Sequence, residues 1–316
     1  MPGNKHKHTD TKSHLFRQLS WDELDPVYLR QLILLAKEED FEGSGLVALP
    51  KVVGDVSTNS LNLDESLEGE ASIVAHSELV VAGLPLVPIV LNAYGEGCVF
   101  KPKVEEGSLV AENEILATLS GPANTILQAE RVLLNFLQHL SGIATLTSNF
   151  VTALGNSQTR LLDTRKTTPG FRVLEKYAVA RGGAWNHRMG LFHWVLLKDN
   201  HLAVSGVNGG HALTELICRA RENSPDLAIE VEVDNLEQID PVLEAGTDII
   251  LFDNFSVTDL KEAVKIVGKR AIKEASGGIS FEMLPQMADL GLDFISLGAL
   301  IHQSTWMDIG LDWKLI

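Results

Sequence analysis

The chain is organised around residues 161–201, which read LLDTRKTTPGFRVLEKYAVARGGAWNHRMGLFHWVLLKDNH. Between residues 160 and 201 there are eight Lys and Arg against three Asp and Glu, a local charge of +5, whereas the whole chain carries −16. Clustered cations repel one another unless an anion lies among them. The basic residues follow two strand-like runs, at 161–163 and 194–197, and do not recur at helical spacing. The segment therefore predicts an anion-binding site on an α/β fold, in preference to a solvated helix face.

Length and composition describe an ordinary globular protein. The 316 residues are 45% hydrophobic and 22% charged, which leaves room for two domains. No stretch has the ~20 uninterrupted apolar residues of a membrane helix, and the first residues lack the apolar core of a signal peptide, so we expect a cytoplasmic protein without a membrane partner. The net charge of −16 argues against a nucleic-acid binder. The two cysteines, Cys98 and Cys218, are too few for a disulfide framework, and we expect both to be buried.

Three motifs follow one another within the central segment. They are DTRKTTPG at 163–170, GGAWNHRMGL at 182–191 and KDNH at 198–201. In this order and succession they resemble the signature of the quinolinate phosphoribosyltransferase family, and the resemblance extends from about Trp21 to the C-terminus. It implies a pentosyltransferase that moves phosphoribosyl from phosphoribosyl pyrophosphate to quinolinate with decarboxylation. The products would be nicotinate mononucleotide, pyrophosphate and carbon dioxide, in de novo NAD biosynthesis.

The patterns before residue 141 predict a tail and a small domain. Residues 1–14 are polar and contain three histidines, which indicates a disordered tail, with metal binding by the histidines as the alternative. Residues 15–140 open with a capping box at Ser20 and Glu23, which predicts the start of a helix. Short strand patterns follow around further helices, so this part is expected to be an N-terminal α+β sandwich domain.

From residue 141 onward, strand-like runs alternate with helical ones. Such alternation requires right-handed crossovers and a parallel sheet. About six or seven repeats predict an α/β barrel smaller than the eight-stranded form, and the resemblance implies an incomplete or seven-stranded barrel. We assign 141–316 to this phosphoribosyltransferase domain and expect the last ~15 residues to pack back on the N-terminal domain. Strands are predicted at 160–163, 194–197, 228–233, 248–252, 271–275 and 294–297.

The basic residues are expected to bind the two anionic substrates. Arginine suits a carboxylate because its planar fork makes two parallel hydrogen bonds. By position in the family motifs, Arg165 and Arg188 are implied to hold quinolinate, and Lys166 and Lys198 to contact the anionic ligands, with Lys198 nearest the reacting centre. His187 is implied to hold a carboxylate or to tune Lys198, a role that His201 would share from farther away.

Arg131 has two interpretations. On an amphipathic helix it would ordinarily be a surface salt-bridge partner. The resemblance implies instead that the arginine of this Glu130-Arg131 pair reaches the active site of a neighbouring subunit, and therefore a homodimer.

Two acids end successive predicted strands. The resemblance implies that Glu232 and Asp253 contact the ribose hydroxyls and a magnesium ion carried by pyrophosphate. Mg²⁺ takes one or two protein carboxylates beside substrate phosphates, so a sparse acid set is sufficient. The alternative is a helix-capping role, which fits their neighbours Asp234 and Asn254 better.

Glycine-rich turns follow the last two predicted strands. Their candidate phosphate-binding residues are Ser276, Gly277, Gly278 and Gly298. Each turn alone is equally compatible with a plain tight turn.

Several competing interpretations remain open. Residues 101–121 resemble half of a biotinyl or lipoyl carrier, but they lack a central lysine on a turn, which favours a structural hairpin. The chain resembles the family less closely at 192–194, where Phe-His-Trp replaces a stretch that often contains an acid, so the pocket rim is expected to differ. Alternative functions are a phosphoribosyltransferase on nicotinate or another heteroaromatic acid without decarboxylation, an aldolase-like phosphate-binding barrel, and a non-catalytic metabolite-binding barrel. Retention of Arg131, Arg165 and Arg188 argues against a transferase that needs no clamp for a second carboxylate. Retention of Lys198 and the acid pair argues against a non-catalytic barrel.

Overall fold

The computed structural model describes residues 15–62, 64 and 66–314. The predicted tail at 1–14 lies outside them. The described residues form two compact units of three segments each: an N-terminal unit drawn from residues 19–147, 168–182 and 304–314, and a barrel unit drawn from residues 15–18, 148–167 and 183–303. The contiguous boundaries 15–140 and 141–316 stay a prediction, since each compact unit draws on both halves of the sequence.

The strands and helices are numbered in chain order. The strands are β1 (Glu68–Ala75), β2 (Leu79–Val80), β3 (Val99–Pro102), β4 (Leu109–Val110), β5 (Ile115–Pro122), β6 (Arg160–Leu162), β7 (Val195–Leu197), β8 (Ile229–Val233), β9 (Ile249–Asp253), β10 (Ile272–Ser276), β11 (Phe294–Ser296) and β12 (Ile309–Trp313). The helices are α1 (Pro26–Glu42), α2 (Val56–Ser60), α3 (Val87–Tyr94), α4 (Ala123–Leu154), α5 (Arg172–Arg181), α6 (Asp199–Val204), α7 (Gly210–Asn223), α8 (Ile239–Glu244), α9 (Val257–Val267), α10 (Leu284–Met287) and α11 (Ala299–His302).

The barrel unit contains one parallel sheet of six strands in the order β6-β11-β10-β9-β8-β7. Its first and last strands, β6 and β7, are not paired with each other in the described residues, so the sheet is open. The incomplete form of the expected barrel is therefore confirmed, and the seven-stranded form is not what the described residues adopt.

Burial explains why these short runs are strands. All five residues of β8 are buried, as expected for a parallel strand that is covered on both faces. The helices between strands present apolar residues at helical spacing, such as Leu260, Ala263 and Val267 of α9. A buried cluster in this unit contains Phe16, Leu162, Trp194, Ile249, Ile272 and Phe294.

The N-terminal unit is built on an antiparallel sheet in the order β12-β1-β5-β3. Strand β12 pairs with β1 from Ala71↔Trp313 to Ala75↔Ile309. Residues 101–121 supply β4, β5 and half of β3, and β3 pairs with β5 as a structural hairpin would. In the described residues, no helix combines the length and the apolar character that crossing a bilayer requires.

Two local expectations are corrected. The Ser20–Glu23 box closes only the three-residue 3-10 turn Trp21–Glu23, and α1 begins later, at Pro26, because Asp25 caps it and proline favours the first helical position. Cys98 is half-buried and Cys218 exposed, so the expectation of two buried thiols is wrong. Cys218 follows the buried Ile217 on α7, and one step along a helix turns a side chain by about 100° toward solvent.

Candidate active site

A cavity of about 830 Å³ lies in the barrel unit, within the usual range for ligand sites. It is formed by residues at or just beyond the carboxyl ends of the parallel strands, where α/β folds place their reactive groups. The structure brings together at its wall all but one of the predicted site residues, namely Arg165, Lys166, His187, Arg188, Lys198, Glu232, Asp253, Ser276, Gly277, Gly278 and Gly298.

Arg131 is the exception. It is exposed on α4 in the N-terminal unit and does not line this cavity. Its implied place in a neighbouring subunit's site stays a prediction.

Asp163 joins the two central motifs. It follows β6, is fully buried, and accepts hydrogen bonds from Asn186 Nδ2 (2.7 Å) and from the His187 backbone N–H (2.8 Å). A buried carboxylate with two such donors is a strong anchor. It therefore holds the Arg165-Lys166 pair and the His187-Arg188 pair on the same wall.

The two arginines of this wall are prepared for an anion. The Nε atom of Arg165 is buried and has no hydrogen-bond partner among the described residues. Arg188 is buried too, and its Nη1 donates to the Trp194 carbonyl oxygen over 3.3 Å. Burial lowers the pKa of Arg188 and the charge of Arg165 acts in the same direction, with Glu230 opposing both. An anion between the two guanidinium groups would relieve this repulsion and satisfy the Arg165 donor.

His187 lines the cavity, but its ring nitrogens are engaged with protein groups. Nε2 lies 3.3 Å from Glu230 Oε1 and 3.4 Å from Glu274 Oε1, and Nδ1 accepts the Arg188 backbone N–H over 2.8 Å. The implied contact from a His187 nitrogen to a substrate carboxylate is thus not prepared in this geometry. His201 does lie beside Lys198, since its Nδ1 accepts the Lys198 backbone N–H over 3.0 Å.

The group of His187, Glu230 and Glu274 has donor atoms within 4.8 Å of one another, as a metal site would. The tautomer argues against a metal. Because Nδ1 accepts an N–H, the ring proton lies on Nε2, which then has no lone pair for an ion. The group is a hydrogen-bonded cluster.

Lys198 and the acids face one another across the cavity. The Lys198 ammonium forms an ion pair with Glu232, the last residue of β8 on the cavity side. Asp253 is the last residue of the adjacent strand β9. Burial raises the pKa of Glu232, and Asp253 and Asp199 raise it further, while Lys198 lowers it. The carboxylates therefore repel one another, and a cation among them would relieve this repulsion.

Two of the predicted glycines are required by their surroundings. Gly277 has φ +82°, and a Cβ there would lie 2.7 Å from Asp253 Oδ1. A Cβ at Gly298 would lie 2.7 Å from Lys166 Cδ. A side chain at either position would push a charged or polar cavity residue out of place.

Comparison with known families agrees with this geometry. A family model described as quinolinate phosphoribosyl transferase, C-terminal domain, matches residues 143–312, and the N-terminal domain of the same family matches residues 55–141. The chain belongs to the quinolinate phosphoribosyl transferase family.

Similar family members come from distant organisms. A probable nicotinate-nucleotide pyrophosphorylase [carboxylating] of Bacillus subtilis is 39% identical over 263 residues, covering 83% of this chain and 89% of that protein. A quinolinate phosphoribosyltransferase [decarboxylating] of Nicotiana glauca is 33% identical and covers 90% of this chain and 82% of that protein. The solved structure of the nicotinate-nucleotide pyrophosphorylase from Francisella tularensis is 31% identical with a TM-score of 0.83, covering 94% of this chain and all of that one.

This member of the quinolinate phosphoribosyl transferase family has cavity residues that the sequence patterns did not single out. His302 and Gln303 line the cavity from the end of α11, and Phe281 and Glu282 line it beyond the first glycine turn. The signal for His302 is its position in SLGALIH, one helical turn after Gly298. At the departure from the family pattern, Trp194 is buried and His193 Nδ1 accepts the Met189 N–H over 3.3 Å, so both have structural contacts.

Proposed function

We propose that this protein transfers the phosphoribosyl group of phosphoribosyl pyrophosphate to quinolinate and releases carbon dioxide and pyrophosphate, giving nicotinate mononucleotide for NAD synthesis. The observation that carries the proposal is the pair of arginines on one cavity wall, with a buried Arg165 donor that has no partner among the described residues. A planar dicarboxylate supplies the missing acceptors. The names of the relatives at 33% and 39% identity support the same reaction.

The cavity residues divide between the two substrates. Arg165 and Arg188 suit the carboxylates of quinolinate, because each guanidinium makes paired hydrogen bonds. Lys166 and the glycine turns at Gly277 and Gly298 suit the phosphate groups, since backbone N–H groups and a lysine point charge bind such oxygens. His187 supports the same wall, because its Nδ1 accepts the backbone N–H of Arg188.

The reaction order follows from the charges. The pyridine nitrogen displaces pyrophosphate at the anomeric carbon through an oxocarbenium-like transition state, and the carboxylates of Glu232 and Asp253 suit the ribose hydroxyls. Once ribose is attached, the ring nitrogen is cationic and stabilises the electron pair that the departing carboxylate leaves on the adjacent carbon. Transfer therefore precedes decarboxylation. Lys198, paired with Glu232 at the cavity wall, is the cation proposed to stand nearest the reacting centre.

We also propose that Glu232 and Asp253 hold Mg²⁺ together with pyrophosphate oxygens. Both residues offer carboxylate oxygens, the ligands that Mg²⁺ prefers, and they lie on adjacent strands. The acids around them also repel one another: burial raises the pKa of nearby Asp234, and the charges of Asp253 and Asp199 raise it further. When bound, the ion stabilises the charge of the pyrophosphate leaving group.

Removal of divalent metal should abolish turnover. With excess chelator, we expect the rate of carbon dioxide release to fall at least about 100-fold, because an uncompensated pyrophosphate is a poor leaving group. Added Mg²⁺ should restore the rate, and Na⁺ at equal ionic strength should not. A rate that chelation leaves unchanged would contradict the magnesium proposal.

Arg165→Lys should weaken quinolinate binding by about tenfold or more, because the charge remains while the paired hydrogen bonds are lost. The measurement is the Kd for quinolinate by calorimetry. Arg270→Lys, at an exposed arginine three residues after the end of α9, is the matched control and should leave the Kd unchanged. An unchanged Kd in Arg165→Lys would remove Arg165 from the quinolinate site.

We further propose a cytoplasmic homodimer in which Arg131 enters the partner subunit's site. The exposure of Arg131 on α4 supports this arrangement, since an exposed arginine is available to another chain. The two free thiols, Cys98 and Cys218, support a reducing compartment.

The decisive test uses quinolinate labelled with ¹⁴C in the carboxyl group next to the ring nitrogen. Incubation with phosphoribosyl pyrophosphate and Mg²⁺ should release labelled carbon dioxide and equimolar nicotinate mononucleotide. Turnover of nicotinate in place of quinolinate would favour a non-decarboxylating transferase. Binding of both ligands without products would favour a metabolite-binding barrel.

A further inference from the structure

A fully buried carboxylate lies beneath the cavity and has no part in the reaction as described so far. Glu230 and Glu232 lie on the same face of β8, because strand side chains alternate, but only Glu232 lines the cavity. Both oxygens of Glu230 face ring donors. Trp194 Nε1 donates to Oε2 over 2.6 Å, and His187 Nε2 lies 3.3 Å from Oε1.

These two ring donors also hold Arg188. His187 Nδ1 accepts the backbone N–H of Arg188 over 2.8 Å, while the carbonyl oxygen of Trp194 accepts Nη1 of its guanidinium over 3.3 Å. Arg188 is therefore held at its backbone and at its charged end by the residues that contact Glu230. Loss of the Glu230 carboxylate would remove the acceptor of the Trp194 indole and the nearer of the two acids beside the His187 ring, leaving only Glu274 at 3.4 Å.

The charges around Glu230 favour its ionised form. Burial raises the pKa of Glu230, but His187, Trp194 and Arg188 outweigh it and hold the pKa below its ordinary value. Glu274, on the neighbouring side of His187, has its pKa raised by burial, with the Glu230 charge adding to the shift. The surroundings thus favour the ionised form at Glu230 more than at Glu274, and the hydrogen bonds of Glu230 are charge-assisted.

We propose that Glu230 is a positioning residue that acts through His187 and Trp194 to hold the Arg188 guanidinium where it meets a carboxylate of quinolinate, an inference that rests on the proposed function. Quinolinate affinity should depend on this buried network. Affinity for phosphoribosyl pyrophosphate should not, because in the described part of the chain Glu230 forms its hydrogen bonds with His187 and Trp194, and none with Lys166 or the glycine turns at Gly277 and Gly298.

Glu230→Gln tests the proposal with little change in volume. The amide presents one acceptor and one donor to two N–H groups, so either Trp194 or His187 loses its partner. We expect KM for quinolinate to rise about 20-fold, with KM for phosphoribosyl pyrophosphate and kcat within about threefold of wild type, because a hydrogen bond to a buried charge is lost.

Trp194→Phe provides a conservative second variant. It removes the indole N–H and keeps a large ring, so KM for quinolinate should rise about threefold. In the double variant, Glu230→Gln with Trp194→Phe, the indole N–H is absent, so the glutamine N–H no longer faces a second donor at that position. Its KM should therefore be no higher than that of Glu230→Gln, well below the product of the two single effects.

Asp248→Asn is the matched control. Asp248 Oδ2 accepts the N–H of Ile229, the first residue of β8 and the neighbour of Glu230, over 2.8 Å, and does not contact the Glu230 side chain in any hydrogen bond of the described residues. The variant should lower the melting temperature and leave KM for quinolinate unchanged.

The outcomes separate the hypotheses. An unchanged KM for quinolinate in Glu230→Gln, an equal rise for both substrates, or an equal rise in Asp248→Asn would overturn the positioning role. If Glu230→Gln fails to fold, the quinolinate-specific rise in Trp194→Phe decides the question, and its absence counts against the proposal. If the wild-type protein releases no carbon dioxide from quinolinate, the proposed function fails and this inference fails with it.

Discussion

Lys198→Ala is expected to lower kcat about 10³-fold while the protein stays folded. The ammonium of Lys198 pairs with Glu232 at the cavity wall, where the proposed reaction rearranges charge at the anomeric carbon and at the ring. A positioned cation in such a site stabilises the transition state more than the ground state, and single groups of this kind contribute about 10²–10³ in rate. The measurement is single-turnover release of labelled carbon dioxide, with circular dichroism to verify the fold.

The control for this variant is Lys261→Ala, which removes an exposed lysine on α9. It should leave kcat unchanged. A Lys198→Ala protein that turns over within about threefold of wild type would remove Lys198 from the reacting centre, because that loss is smaller than any positioned charge should give.

Mixing two inactive variants is expected to restore activity. If Arg131 enters the partner subunit's site, Arg131→Ala and Lys198→Ala each disable every site of their own dimers. In a mixed dimer one site carries both defects and the other carries neither. With random exchange about half of the dimers are mixed, so about a quarter of wild-type activity should return, provided the dimer is closed and two-fold symmetric.

The control for this experiment is exchange itself, followed with subunits that carry different tags. Were Arg131 to serve its own chain, each site in every dimer would keep one defect and mixing would restore nothing. Recovery that stays absent after exchange has been demonstrated would therefore exclude a shared site.

The sequence was most informative where the chain alternates strand and helix. The predicted runs at 228–233 and 248–252 lie within one residue of β8 and β9. The carboxyl ends of parallel strands meet at one edge of the sheet, so the placement of Glu232 and Asp253 in one cavity followed from the alternation of strand and helix. The count of strands was less certain, because closure of a barrel depends on contacts between its first and last strands.

The buried network of Glu230, His187 and Trp194 was not predicted, although part of its signal in the sequence is local. In IEVEV, Glu230 must lie on the same face as Glu232, and an acid on the inward side of a buried strand requires partners. Those partners, Trp194 and His187, are 36 and 43 residues away in the sequence. No periodicity joins residues at such separations. Only the folded chain shows that two ring donors converge on this carboxylate.

The pairing of β12 with β1 has a consequence for the order in which the chain folds. Ile309–Trp313 supplies an edge of the N-terminal sheet, yet it is synthesised after all six strands of the barrel unit. At about 5–20 residues per second, β1 leaves the ribosome well before its partner exists. During that interval its free edge is exposed to other strands, including those of neighbouring nascent chains. The sheet of the N-terminal unit therefore cannot be completed until residues 309–313 have been translated, after the barrel strands. Protection by chaperones is most valuable in that interval.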